Sequence, residues 1–95
     1  MNDSTIVHVL IPALLRNYCG GAREFDLPAE QLREALAELE RRYPSLHAGV
    51  CDETGAIRRH INVFVNTAHI RDLNGLDTCF VSGDVLTFLP AVSGG

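Results

Sequence analysis

The chain contains no lysine; its eight basic residues are all arginine. No side-chain amine is available for a Schiff base, and nothing can be conjugated to the chain through a lysine. No apolar run approaches the roughly 20 residues needed to cross a bilayer. The opening MNDST lacks the basic segment and apolar stretch of a signal peptide, which points to a cytoplasmic protein. Cysteine is scarce. Cys19, Cys51 and Cys79 are odd in number and match neither a disulfide framework nor a zinc site, so they read as free thiols. Net charge is −4, which argues against a nucleic-acid partner, since such binding neutralises phosphates with Lys and Arg.

Motifs for catalysis are also missing. His8, His47, His60 and His69 fall in no HxH, HxxxH or HExxH spacing, so no metal site is predicted. Asp52-Glu53 lies in a turn and reads as solvated. No GxSxG, P-loop or GxGxxG is present, and Gly20-Gly21 reads as a turn rather than a phosphate cradle.

What is present is one domain's worth of chain, 95 residues at 46% hydrophobic and 21% charged. Thr5 to Ile11 reads as a strand with Val7, Val9 and Ile11 inward if His8 faces solvent. REFDL reads as a second strand after the Gly20-Gly21 turn. The clearest helix is LPAEQLREALAELERRYP, where Leu32, Ala35, Leu36, Leu39 and Tyr43 form one apolar stripe. Pro28 suits its first turn and Pro44 its end. Residues 44–60 read as a connector with a helical turn at Leu46 to Val50. HINVFVN alternates, sending Ile61, Val63 and Val65 to one face and Asn62 and Phe64 to the other. AHIRDL reads as a short strand and DVLTFLP as the last one, stopped by Pro90.

One main helix must then cover one face of one mixed sheet of four to five strands. A hairpin, a helical crossover and returning strands make an α+β fold of the β-grasp, or ubiquitin-like, type, with the last strand parallel to the first. Leu86 and Phe88 are expected inward. Leu89 and Phe64 are expected on the uncovered face as an apolar patch.

The chain ends FLPAVSGG. Residues 1–90 read as the domain and 91–95 as an uncharged thread. Two terminal glycines let a backbone approach a reactive centre without steric conflict. A carboxylate on such a thread can enter a narrow active site in another protein.

On INVFVN, IRDLNGLDT, SGDVLTFLPAVSGG and the opening VHVLIPALLR, the chain resembles the ubiquitin-like sulfur carrier family. That family includes the small subunit of molybdopterin synthase and the thiamine and cysteine-biosynthesis sulfur carriers. LPAV, rather than two consecutive prolines, is closer to the cysteine-biosynthesis type. Where relatives often carry Thr or Asp at the helix N-cap, this chain has Glu30-Gln31.

The resemblance implies a protein cosubstrate rather than an enzyme. It implies that an E1-like adenylyltransferase and sulfurtransferase, using ATP and magnesium, adenylates the Gly95 carboxylate and converts it to a thiocarboxylate. It implies further that Val92, Ser93 and Gly94 thread the tail into the partner, and that a second partner, a cysteine-synthase-like or other acceptor enzyme, takes the sulfur. A processing protease is a further implied partner where residues follow Gly95. The carrier itself would hold no cofactor and no metal, and would need no membrane. Phe64 and Leu89, with Arg71 as a polar rim, are the expected docking residues. The sulfur's destination is expected to be cysteine or a metabolite such as a siderophore, with molybdopterin and thiamine as alternatives. Two other readings stand beside this one: a ubiquitin-like modifier joined to targets through Gly95, and a non-covalent binding module.

Overall fold

Val7 and Val9 point one way from the first strand and His8 the other, and the sheet is built on that alternation. The computed structural model describes residues 5–91. Strand β1 (Ile6–Leu10) runs antiparallel to β2 (Glu24–Pro28), with Val7 opposite Leu27 and Val9 opposite Phe25. Strand β3 (Ile61–Val65) turns back into the two-residue β4 (Ala68–His69). Strand β5 (Val85–Pro90) lies between β1 and β3, parallel to the first and antiparallel to the second. The order β2-β1-β5-β3-β4 is the β-grasp arrangement, with five strands. The parallel pairing requires a crossover, which the helices supply.

Helix α1 (Leu32–Arg42) buries Leu32, Ala35, Leu36 and Leu39 against the sheet. Tyr43 follows at the C-cap and stacks on Phe25, with ring centroids 4.4 Å apart and planes at 29°. The expected start is corrected. Pro28 ends β2 and is not in the first helical turn. The Ala29 N–H bonds the Thr5 carbonyl, so neighbouring Pro28 sits where its nitrogen faces away from β1, at the sheet edge. Gln31 is the N-cap and offers no side-chain bond. Tertiary contacts replace it: the Leu32 N–H donates to the Thr78 carbonyl and the Phe80 N–H to the Glu30 carbonyl.

A second correction concerns coverage. Pro44 ends α1 and opens a two-turn helix, α2 (Pro44–Val50), which buries Leu46 and Val50. A 3-10 segment at Ala13–Cys19, inside the predicted hairpin loop, buries Leu15 and Cys19 and packs on α2. One helix is too narrow for the inner face, so three segments share it. Val7, Val9, Leu27, Val63, Leu86 and Phe88 are almost fully buried beneath them. Each such side chain contributes about 1.5–3 kcal/mol of burial.

The turn before β5 is specific. Gly83 has φ of 96°, a region that side chains strain to reach. Asp84 then accepts from the Val81 N–H at 2.9 Å and from Asn66 Nδ2 at 3.1 Å. Asn66, itself left-handed at φ 57°, accepts at its Oδ1 from the Val85 N–H at 3.0 Å. The Gly83-Asp84 pair that opens GDVLTFLP thus sets where β5 enters the sheet.

Candidate functional site: the open sheet face and the root of the tail

The face away from the helices is lined by the outward residues of all five strands. Register puts Glu24, Leu10, Thr87, Phe64 and His69 in one row across the sheet, with Asn62 beside Leu89 in the next. Leu89 is 40% exposed and Leu10 38%, while Phe64 is half-buried. Phe64 and Leu89 lie diagonally across the β3–β5 ladder, on one face as expected. Leu86 and Phe88 point to the core, also as expected.

Phe64 is held from one side. His69 meets it edge-on, with centroids 5.1 Å apart at 73°. The Arg71 N–H donates to His69 Nδ1 at 3.0 Å, and His69 Nε2 lies 3.2 Å from Asn62 Oδ1. Nδ1 therefore accepts and Nε2 carries the proton toward Asn62. Arg71 is exposed just after β4, with its backbone N–H fixed by His69.

Sequence reading missed Leu10. Its outward register follows from the same alternation that turns Val7 and Val9 inward, and it extends the apolar patch across β5.

The other missed feature is on the β1–β2 side. His8 Nε2 lies 2.5 Å from Glu24 Oε1 and Nδ1 lies 2.7 Å from Asp26 Oδ1. Both ring nitrogens face carboxylates, so both must donate, which is the imidazolium form. The bonds to Asp26 and then Glu24 raise its pKa above the ordinary 6.5. His8 was read as a plain solvent-facing residue because nothing local indicates which β2 residues sit opposite it.

The tail leaves at the far end of β5. Pro90 pairs with Ile61, and the Ala91 N–H donates to the His60 carbonyl at 2.5 Å. Val92, Ser93, Gly94 and Gly95, the predicted thread and reactive end, lie outside the described residues. Among the described residues, no group of three His, Cys, Asp or Glu side chains could hold a metal, and no helix is long and apolar enough to cross a membrane. The cysteines are unpaired, with Cys19 and Cys51 buried and Cys79 exposed. Burial pushes the Cys51 thiol up to about 11.

The ThiS family model matches residues 9–95. This chain belongs to the ThiS family. As a ThiS-family member it is 34% identical over 91 residues to the sulfur carrier protein CysO of Mycobacterium tuberculosis, covering 94% of this chain and 98% of that one. The Amycolatopsis orientalis CysO structure, solved in a BexX/CysO complex, superposes with a TM-score of 0.85 at 36% identity, over 94% of this chain and 99% of that one. The small archaeal modifier protein 1 of Methanosarcina acetivorans superposes at 0.82 with 32% identity, over 99% of this chain and 100% of that one.

Proposed function

We propose that this ThiS-family chain is a sulfur carrier whose reactive group is the Gly95 carboxylate. What carries the reading is near-full-length likeness to sulfur carrier proteins, through a family match that runs to Gly95. In the first step a Gly95 carboxylate oxygen attacks the α-phosphorus of ATP, and pyrophosphate leaves. Hydrosulfide, or a protein-bound equivalent, then attacks the acyl carbon, and AMP departs with the original oxygen. ATP and magnesium belong to the E1-like activating partner. The thiocarboxylate keeps reduced sulfur covalently bound until an acceptor enzyme takes it, with cysteine biosynthesis the favoured destination.

The described residues have two parts in this. The first is the apolar centre of the open face, Leu10, Phe64 and Leu89, which supplies a docking patch next to the tail root, with Arg71 at its rim. The second is the Ala91–His60 bond, which anchors the point where the thread leaves the sheet. Val92, Ser93 and Gly94 then thread Gly95 into the partner, where side chains would obstruct the approach.

The test is intact mass after incubation with the activating enzyme, ATP and sulfide. A gain of about 16 Da, from exchange of oxygen for sulfur, is expected, and removing Gly94-Gly95 abolishes it while leaving the unfolding midpoint unchanged. No gain with an enzyme proven active on another carrier rejects the reading.

Likeness to a small archaeal modifier protein favours a second use of the same end, conjugation to target lysines. Mass spectrometry of trypsin-digested cellular conjugates for lysine carrying the peptide of residues 72–95, the fragment that remains after cleavage at Arg71, discriminates between them.

A further inference from the structure

The net charge of −4 is unevenly placed. Arg33 pairs with Asp77, and Arg41 and Arg42 pair with Glu38, all on the helical side. Arg16, Arg58 and Arg59 are in none of the ion pairs formed among the described residues. All three stand at the end of the sheet from which the tail departs. Arg16 Nε donates to the carbonyl of Ile11, just past β1, at 3.1 Å. Arg58 Nε donates to the Ala48 carbonyl in the last turn of α2 at 3.0 Å. Arg59 is exposed and adjoins His60, whose carbonyl holds Ala91.

Two of the carboxylates nearby are engaged, while Glu40 and Glu53 line a further hollow that Arg58 shares. Glu24 is held by His8. Asp52, whose field reaches Arg58, accepts from the Thr54 hydroxyl and from the Thr54 and Ala56 N–H groups. Below the tail root, Tyr18, Ser45, Ala48, Gly49, Arg58 and His60 surround an open hollow of about 540 Å³. Its polar side chains, a phenol, a hydroxyl, a guanidinium and an imidazole, can all donate hydrogen bonds. Holding the Ala48 carbonyl uses one of the five N–H donors of Arg58 and leaves four without a hydrogen-bond partner among the described residues.

We propose that this end of the molecule is a basic collar around the tail root, and that it takes acidic side chains from the rim of the partner's active site, with one carboxylate entering the hollow beside Arg58 and His60. The proposal rests on the carrier reading and adds the chemistry of the partner's rim. The uncharged thread carries no address of its own. A positive collar on an otherwise acidic protein orients the encounter so that the tail arrives first. Charge at such a rim acts mainly on association and is weakened by salt.

The experiment measures KM for the chain as substrate of the E1-like enzyme that adenylates it, together with a peptide titration. Arg59→Glu raises KM about tenfold near 0.05 M salt and about twofold near 0.5 M, with kcat unchanged. Arg41→Glu, the same charge change on the helical side, leaves KM unchanged. Arg58→Gln gives the same direction as Arg59→Glu, and thermal unfolding of each variant establishes that the fold is intact. In parallel, hexaglutamate titrated into the isotope-labelled wild-type chain shifts the amide signals of Tyr18, Arg58, Arg59 and His60. A KM for Arg59→Glu equal to wild type, or hexaglutamate shifts absent from these four residues, overturns the collar. Failure of the wild-type chain to be adenylated overturns the carrier reading and the collar's partner role with it, while the peptide result stands by itself on whether the hollow binds carboxylates.

Discussion

Asn66 Nδ2 donates to Asp84 Oδ1 at 3.1 Å, joining the turn after β3 to the turn before β5. The two side chains also fix main-chain groups: Asn66 holds the Val85 N–H and Asp84 the Val81 N–H. Asp84→Ala removes two of these bonds and leaves Asn66 without its partner. A loss of about 1–3 kcal/mol is expected in urea unfolding. For a domain of this size that lowers Tm by roughly 4–8 °C per kcal/mol. Asn66→Ala loses more than the bonds alone, because alanine resists the left-handed backbone found there. Equal stability of Asp84→Ala and wild type would show that the lock contributes nothing.

His8 predicts a pH dependence. Its folded pKa is raised by Asp26 and then Glu24, above the unfolded value near 6.5. The contribution of this clamp is therefore fully present below the unfolded pKa and is lost as pH rises through the folded one. The stability difference between wild type and His8→Ala is expected to be larger at about pH 5.5 than at about pH 9. Proton NMR of the ring should give a pKa above 6.5 that moves down in Asp26→Asn. A titration curve identical in Asp26→Asn and wild type contradicts the clamp.

Thiol chemistry should separate the three cysteines. Cys79 is exposed, whereas Cys19 and Cys51 are buried with pKa values pushed up by desolvation, that of Cys51 to about 11. The thiolate is the reactive form. One thiol per native chain should react rapidly with a disulfide reagent at neutral pH, with the remaining two released by denaturant. Cys79→Ser removes the fast phase. Fast reaction of all three in the native protein refutes the burial assignment.

Adjacent residues of β5 should behave in opposite ways. Leu89 points to the open face and Phe88 to the core. Leu89→Asp leaves urea unfolding within about 0.5 kcal/mol of wild type and weakens use by the activating enzyme. Phe88→Ala costs about 3–5 kcal/mol through the cavity it leaves. Normal adenylation kinetics for Leu89→Asp would remove this patch from the docking surface.

Much of this was legible in the chain. Alternation in β1, β3 and β5 told which side chains turn inward, so Leu86 and Phe88 were assigned to the core and Phe64 and Leu89 to the open face. The α1 stripe was equally plain. The less visible parts have one cause. The His8 clamp depends on the β1–β2 register, which a folded 3-10 segment in the long connection helps set. The α1 start depends on a carbonyl 46 positions away by number, that of Thr78 acting on Leu32.

The sequence by itself determined the fold class and the faces of the main strands, because side-chain period is a local property; the chemistry expected of Gly95 is what the family resemblance implies. Only the tertiary structure decided that Glu24 and Asp26 enclose His8, that Asp84 meets Asn66, and that Arg16, Arg58 and Arg59 gather where the tail leaves. Those neighbours come from separate strands and connections, and no short-range pattern records which of them the closed sheet brings together.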